Sequence, residues 1–265
     1  MTTRGNRFAA LLIAGLLAAP GAHAESRSVP LVDWSSGESA ERLSRSRHKA
    51  DFFPLSNNFV SQDNKIFCGP ASAATVLNAL RLRRKQNLPQ DTASIAESER
   101  AWLPKGFSPF FGKYTPGNVL NDRTKRRVEV LGKPIEIRGR LRPDFGLQLH
   151  QLAQALRVHG LKAEVRVVDD GADAEAVKRE IVANLARRDD YVLVNYARKA
   201  LGQPGGGHIS PLGAYDARTD SFLIMDVNPN RAPWVWVRAA DLIAAMRTFD
   251  TVENRGYLLV SDPQS

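Results

Sequence analysis

The chain has 265 residues, 43% of them apolar and 25% charged, with a formal net charge of +9. These are the fractions of an ordinary globular protein, long enough for one large core or two small ones. The single cysteine, Cys68, excludes an internal disulfide. The basic runs at 81–85, 125–142 and 186–190 lack interleaved aromatics, which argues against nucleic acid as the partner and for a solvated basic face.

In chain order, residues 1–24 read as a secretory signal peptide. Arg4 and Arg7 precede an apolar run at 8–19, then come Pro20 and Gly21, and Ala22-His23-Ala24 forms a small-x-small cleavage site. Loss of that leader lowers the charge to +7 and makes the protein exported, periplasmic or secreted. The apolar run is too short to span a bilayer and no other stretch approaches the length required, so no transmembrane segment is expected. Residues 25–50 are polar and are expected to form an extended, partly mobile arm, followed by a catalytic domain at 51–262. Pro54 argues against a central strand in DFFPLSNNFV, which is expected to be packed irregular structure.

In SQDNKIFCGPASAATVLNAL (61–80), Gly69 and Pro70 follow Cys68 and apolar residues then recur at helical spacing, which predicts a helix with Cys68 at its N-terminus. There the unpaired N–H groups and the dipole stabilise a thiolate, the nucleophilic form. A lone cysteine is often a small buried apolar residue, but an idle thiol is a liability in an oxidising compartment. Gln62, six residues upstream, supplies an amide that can donate to an oxyanion. Short helices and loops crossing the catalytic face are expected over 86–145, with weak helical signals in TASIAESERAWL and NVLND.

GLQLHQLAQALRVHG reads as an amphipathic helix carrying His150 and His159 in structural roles, LKAEVRVV as a strand, DDGADAEAVKREIVANLARRDD as a helix charged to match its dipole, and YVLVNYA as a buried strand. HISPLGAY and SFLIMDV are two apolar runs joined by the polar DARTD, a β-hairpin. A turn centred near Ala217 sets His208 opposite Asp226, close enough for a hydrogen bond that orients the imidazole. The glycines before His208, Gly207 nearest, leave room for a substrate backbone. Metal binding at His208 and Asp226 would need a third protein ligand, and no HxxxH or CxxC spacing supplies one. The order Cys68, His208, Asp226, with Gln62 upstream, is that of a thiol acyl-transfer site.

NKIFCGPASAATVLNAL, NYARKALGQPGGGHISPLGAYD, FLIMDV and AAMRTFDTVENRGYLLV together resemble the catalytic domain of phytochelatin synthases, most closely the short bacterial type, over residues 52–260. The resemblance implies an α+β, papain-like cysteine peptidase fold, with the nucleophile Cys68 at a helix N-terminus and His208 and Asp226 on antiparallel strands. It implies Gln62 at the oxyanion position, and Arg198, Gly207, Asp250 and Arg255 in substrate binding. An arginine for a carboxylate and an aspartate for the γ-glutamyl α-amino group make chemical sense. The implied substrate is glutathione, cleaved at its Cys–Gly bond through a thioester on Cys68, with water or a second glutathione as acceptor. No cofactor is required for this chemistry; heavy metal ions enter as metal–glutathione thiolates or activators, and a homodimer is compatible with it. The cysteine-rich C-terminal region of plant members has no counterpart here, and NPNRAPWVWV after Asp226 lacks the Tyr-Pro-Pro-rich segment expected in the family. Two other readings remain: a non-catalytic papain-like protein that binds peptides or metal–thiol complexes, and a general cysteine protease.

Overall fold

A computed structural model describes residues 30–81, 88–137 and 139–264; the leader expected at 1–24 and most of the basic run at 81–85 lie outside them. In order the elements are β1 (Val32–Asp33), α1 (Gly37–Arg45), α2 (Phe52–Asn57), α3 (Cys68–Arg81), α4 (Glu97–Arg100), α5 (Arg127–Val130), β2 (Pro134–Ile137), β3 (Arg140–Pro143) and α6 (Leu149–Val158). They continue with β4 (Lys162–Val167), α7 (Ala174–Leu185), β5 (Asp190–Ala197), β6 (Gly207–Asp216), β7 (Ser221–Ile224), β8 (Val235–Arg238), α8 (Ala239–Met246) and β9 (Gly256–Ser261). This is a mixed α+β architecture. One sheet of seven strands, ordered β1-β8-β7-β6-β5-β9-β4, is antiparallel throughout, and β2 and β3 form a separate hairpin.

Both faces of the sheet are covered. One core unites α2, α3 and α6 with residues such as Ile209, Leu193 and Leu258, and the other unites α7 and α8 with Val192, Val194 and Leu212. This explains why β5 and β6 read as nearly continuous apolar runs. Helix α3 is buried on almost every side because its first two turns are Gly, Pro, Ala and Ser, small enough to lie directly on β6. There Ser72 Oγ donates to the carbonyl of Ile209 (3.1 Å), and a side chain at Gly69 would press on Leu147.

The central strand β6 tolerates Pro211 beside a bulge between Leu212 and Ala214. Gly213 at the bulge packs so closely on Met225 that an added Cβ would lie 2.6 Å from its sulfur.

Three expectations differ from what is found. The stretch 37–45 is a helix rather than an extended arm, capped by Ser36 and fastened to β6 where Arg45 meets Asp216 at 2.6 Å. Residues 52–57 are also helical: Pro54 falls in the first turn, where its missing N–H costs no hydrogen bond. Among the described residues of 86–145, only the end near Phe145 reaches the cleft described below, and TASIAESERAWL yields a single 3-10 turn, Thr92–Ser94, and one four-residue helix on the surface.

Candidate active site

The first residue of α3 is Cys68, and Pro70 occupies the same turn, where proline is tolerated. The residue keeps partial exposure. Its thiol hydrogen-bonds His208 and meets the backbone of Ile209 and Gly69. Burial pushes the thiol pKa up, but the hydrogen bond and charge of His208, with the two backbone contacts, outweigh it and the pKa lies below the ordinary value. His208, the second residue of β6, is buried. Burial would lower its pKa, and the hydrogen bonds to Asp226 and Cys68 reverse the sign, so it is raised. The two shifts favour the same species, a thiolate beside an imidazolium.

Asp226 lies two residues past the end of β7, not on a strand as expected. The hairpin turn centres between Arg218 and Thr219 rather than at Ala217, as the pairs Asp216↔Ser221 and Tyr215↔Phe222 show, and the ladder ends at Leu212↔Ile224, short of position 208. Irregular chain past the end of β7, rather than strand register, therefore brings Asp226 Oδ1 to 2.9 Å from His208 Nε2. The carboxylate is fully buried and accepts from Tyr196 Oη (3.2 Å), the backbone N–H of Asn228 (2.7 Å) and Arg198 (2.8 Å to Oδ1, 2.6 Å to Oδ2).

Arg198 is the unexpected neighbour. It is 3% exposed, bound to Asp226, with Nη2 2.9 Å from His208 Nε2, so it does not line the cleft where a substrate carboxylate would sit. A guanidinium only donates. Its contact with Nε2 is a hydrogen bond only when Nε2 is unprotonated, whereas the contact of Nε2 with Asp226 is one only when the ring carries that proton. The two contacts thus belong to two protonation states of His208.

Gln62 also stands back from the cleft. Its backbone N–H donates to Val227 (2.8 Å), beside Asp226, and its amide nitrogen donates to the carbonyl of Asn64 in the loop before Cys68. An amide nitrogen carries two hydrogens, so one remains for another acceptor. The N–H of Cys68, at the start of α3, is one of the four in any helix without an i−4 partner.

The cleft of about 230 Å³ is lined by Cys68, His208, Gly207, Asp250, Asn195 and Lys65, and by Phe145, Gly146 and Leu147. Asp250 is fixed by Arg255 Nη2 and Asn195 Nδ2, each at 3.0 Å. Arg255 itself is spent on the carbonyls of Thr248 and Phe249 and lies beneath Gly207, where a Cβ would come within 2.7 Å of its Nη2. Of the four residues expected to bind substrate, Gly207 and Asp250 face the cleft, and Arg198 and Arg255 sit behind it. The wall formed by Phe145, Gly146 and Leu147 is tied down by the buried pair Lys125–Asp144 (2.6 Å), with Lys125 also donating to the carbonyl of Gly146. Sequence reasoning passed over Asn195 and Lys65. A lone Asn within the apolar YVLVNYA was a usable signal, because a buried amide needs a partner; Lys65 carried none.

His150 meets Glu253 at 3.2 Å, and His159 bonds the carbonyl of Val119 at 2.8 Å, its pKa lowered by burial; neither lies at the cleft. Among the described residues no three His, Cys, Asp or Glu side chains are grouped to hold a metal ion, and no helix is long and apolar enough to cross a membrane.

Comparison with known proteins bears on these residues. The family described as phytochelatin synthase matches residues 25–94 and 139–257, leaving 95–138 outside both stretches. Glutathione gamma-glutamylcysteinyltransferase 3 of Lotus japonicus is 28% identical over 240 residues, which cover 88% of this chain and 43% of that protein. Glutathione gamma-glutamylcysteinyltransferase 1 of the same plant is 30% identical over 242 residues, covering 89% and 41%. The glutathione gamma-glutamylcysteinyltransferase of Schizosaccharomyces pombe is 22% identical over 212 residues, covering 79% and 43%. The chain thus spans less than half the length of these relatives. With the family matching most of its residues, including those of the cleft, the chain belongs to the phytochelatin synthase family.

Proposed function

We propose that the chain is a papain-like thiol enzyme that cleaves the Cys–Gly bond of glutathione. The observation that carries this reading is one chain of contacts: Cys68, part-exposed at a helix start on an open cleft, has its thiol hydrogen-bonded to His208, whose far nitrogen is 2.9 Å from a carboxylate buried behind it.

The Cys68 thiolate attacks the cysteinyl carbonyl carbon of glutathione, and the negative charge gathers on the carbonyl oxygen. The Cys68 N–H donates to that oxygen, and the second amide hydrogen of Gln62 joins it when the side chain, set back from the cleft on the carbonyl of Asn64, turns toward the thiol. As the tetrahedral species collapses, imidazolium His208 passes its proton to the departing glycine nitrogen, and a γ-glutamylcysteinyl thioester remains on Cys68. Asp226 holds the ring and its charge throughout. Neutral His208 then takes a proton from water, giving γ-glutamylcysteine, or from the α-amino group of a second glutathione, giving a chain one unit longer.

Asp250 suits the α-amino group of the γ-glutamyl unit, since it is anionic, at the cleft, and held by two donors. Lys65, exposed at the rim, is the cation in reach of a carboxylate. Heavy metal ions enter this reading as glutathione thiolates, that is, as part of the substrate. Incubation with glutathione, with and without cadmium, tests it by glycine release and by the mass of the products. We expect glycine release that is lost in Cys68→Ser, with hydrolysis dominating at low glutathione. Unchanged glutathione under all conditions rejects the enzyme reading.

A further inference from the structure

One wall of the cleft is continuous with a basic segment. Phe145, Gly146 and Leu147 line that wall, and the N–H of Gly146 donates to the carbonyl of Val130 in α5 (2.8 Å). Gly132 lies so close to Phe145 that a Cβ there would come within 2.1 Å of its ring. Arg127, also in α5, sets its guanidinium 4.8 Å from the ring of Phe67, the residue before Cys68. The β2–β3 hairpin therefore leaves from beside Phe145, at Lys133, and returns to it through Pro143 and Asp144.

The charge of this segment survives its ion pairs. From Asp122 to Asp144 the sequence holds eight basic and four acidic side chains; with the pairs Lys125–Asp144 and Arg126–Glu129 set aside, six basic remain against two acidic, a surplus of four. Lys133, Arg140 and Arg142 are exposed, and among the described residues neither arginine forms an ion pair. Arg140 stands opposite Ile137 and Arg142 opposite Ile135, so both arginines share one face of the hairpin, while its acid, Glu136, stands opposite Leu141 on the other. Arg142 is three residues from Phe145 and Arg140 five. At about 3.5 Å per residue they stand within about 11 Å and about 18 Å of it, less than the Debye length of about 30 Å at about 10 mM salt. Asp250, the acid lining the cleft, is already held by Arg255. A low-dielectric cleft with unpaired cations along one approach raises the local concentration of anions.

We infer that the β2–β3 hairpin makes the cleft select anionic over neutral reactants, drawing them toward Cys68 through Lys133, Arg140 and Arg142. The inference rests on the proposed reaction only for the identity of the natural anion, glutathione, whose two carboxylates outnumber its one ammonium group. The test is alkylation of Cys68, the sole cysteine, by anionic iodoacetate and by neutral iodoacetamide at about pH 8 and about 10 mM salt. Both reagents attack the same thiolate, so the ratio of their rates cancels any change in the thiol pKa and reports the potential at the cleft. Arg140→Glu/Arg142→Glu should lower the iodoacetate-to-iodoacetamide ratio at least about twofold. Arg140→Gln/Arg142→Gln should lower it by a smaller factor, and both differences should vanish at about 0.5 M salt. Arg179→Glu/Arg188→Glu makes the same change in net charge at exposed positions in and just after α7, across the sheet from α3, and should keep the parent ratio. A parent-like ratio in both hairpin variants, a fall that persists at high salt, or an equal fall in the α7 variant overturns the inference. Glutathione separates the two claims. The expected ratios without glycine release reject the enzyme reading and leave the role of the hairpin standing, whereas glycine release whose kcat/KM ignores both salt and Arg140→Glu/Arg142→Glu rejects the role of the hairpin alone.

Discussion

Replacing Arg198 by Ala removes the one cation that touches both His208 and Asp226. The guanidinium opposes charge on the imidazole, since its Nη2 lies 2.9 Å from Nε2. Two unit charges about 4 Å apart interact by about 4 kcal/mol at an effective dielectric constant of about 20. Asp226, gripped by the same guanidinium, offsets much of this. If about a third survives, its removal favours the thiolate–imidazolium pair by about 1.4 kcal/mol, or tenfold. Asp226 is not left bare, because Tyr196 and Asn228 still donate to it. Cys68 is the sole cysteine, so iodoacetamide reports on it alone. In the middle of the pH profile, where Cys68 and His208 share one proton, Arg198→Ala should be alkylated up to about tenfold faster than the parent, with no gain at acid pH where the imidazole is already charged, while Arg198→Lys, which keeps the charge, should resemble the parent. An unchanged or slower profile in Arg198→Ala refutes the reasoning, as does the same acceleration in both variants.

Other consequences can be checked more briefly. Gly207→Ala sets a methyl group against Arg255, which its carbonyl partners and Asp250 hold in place; a loss of about 1–3 kcal/mol in urea unfolding and a matching loss of glycine release are expected. Asp51 is fully buried and neither carboxylate oxygen has a hydrogen-bond partner among the described residues, so burial, then Asp190 and Asp189, hold its pKa well above the usual range. An acid with a raised folded pKa loses stability as pH rises through the range between its unfolded and folded values. Asp51→Asn should therefore gain about 1–3 kcal/mol over the parent at about pH 8 and much less at about pH 4, and an equal gain at both would count against it. Asp216 has the opposite sign. Its burial would raise the pKa, but Arg45, Thr219 and a backbone N–H bring it down to about 2. Its stabilisation is present above the ordinary carboxylate range and lost as pH falls toward 2, so Arg45→Ala should cost about 1–3 kcal/mol at neutral pH and almost nothing near pH 2 by urea titration.

Residue types and local spacing were enough to give the helix that starts at Cys68, the helices and strands between 146 and 224, and the family. Each is written in a periodicity of a few residues or in a motif. The α1 helix in the polar stretch 25–50 was not legible, because its stability comes from contacts such as Arg45–Asp216, 171 positions apart. Nor was the route by which Asp226 meets His208: a hairpin argument brought the two together through strand register, whereas irregular chain beyond the last ladder pair achieves it. Arg198, read as a substrate ligand, proved to be the companion of Asp226, and no pattern in NYARKALGQ could say which way its side chain turns. Local sequence determined which groups are present and on which elements they ride; only the folded core decided which buried charges face one another, because that choice depends on the desolvation and packing of residues distant in the chain.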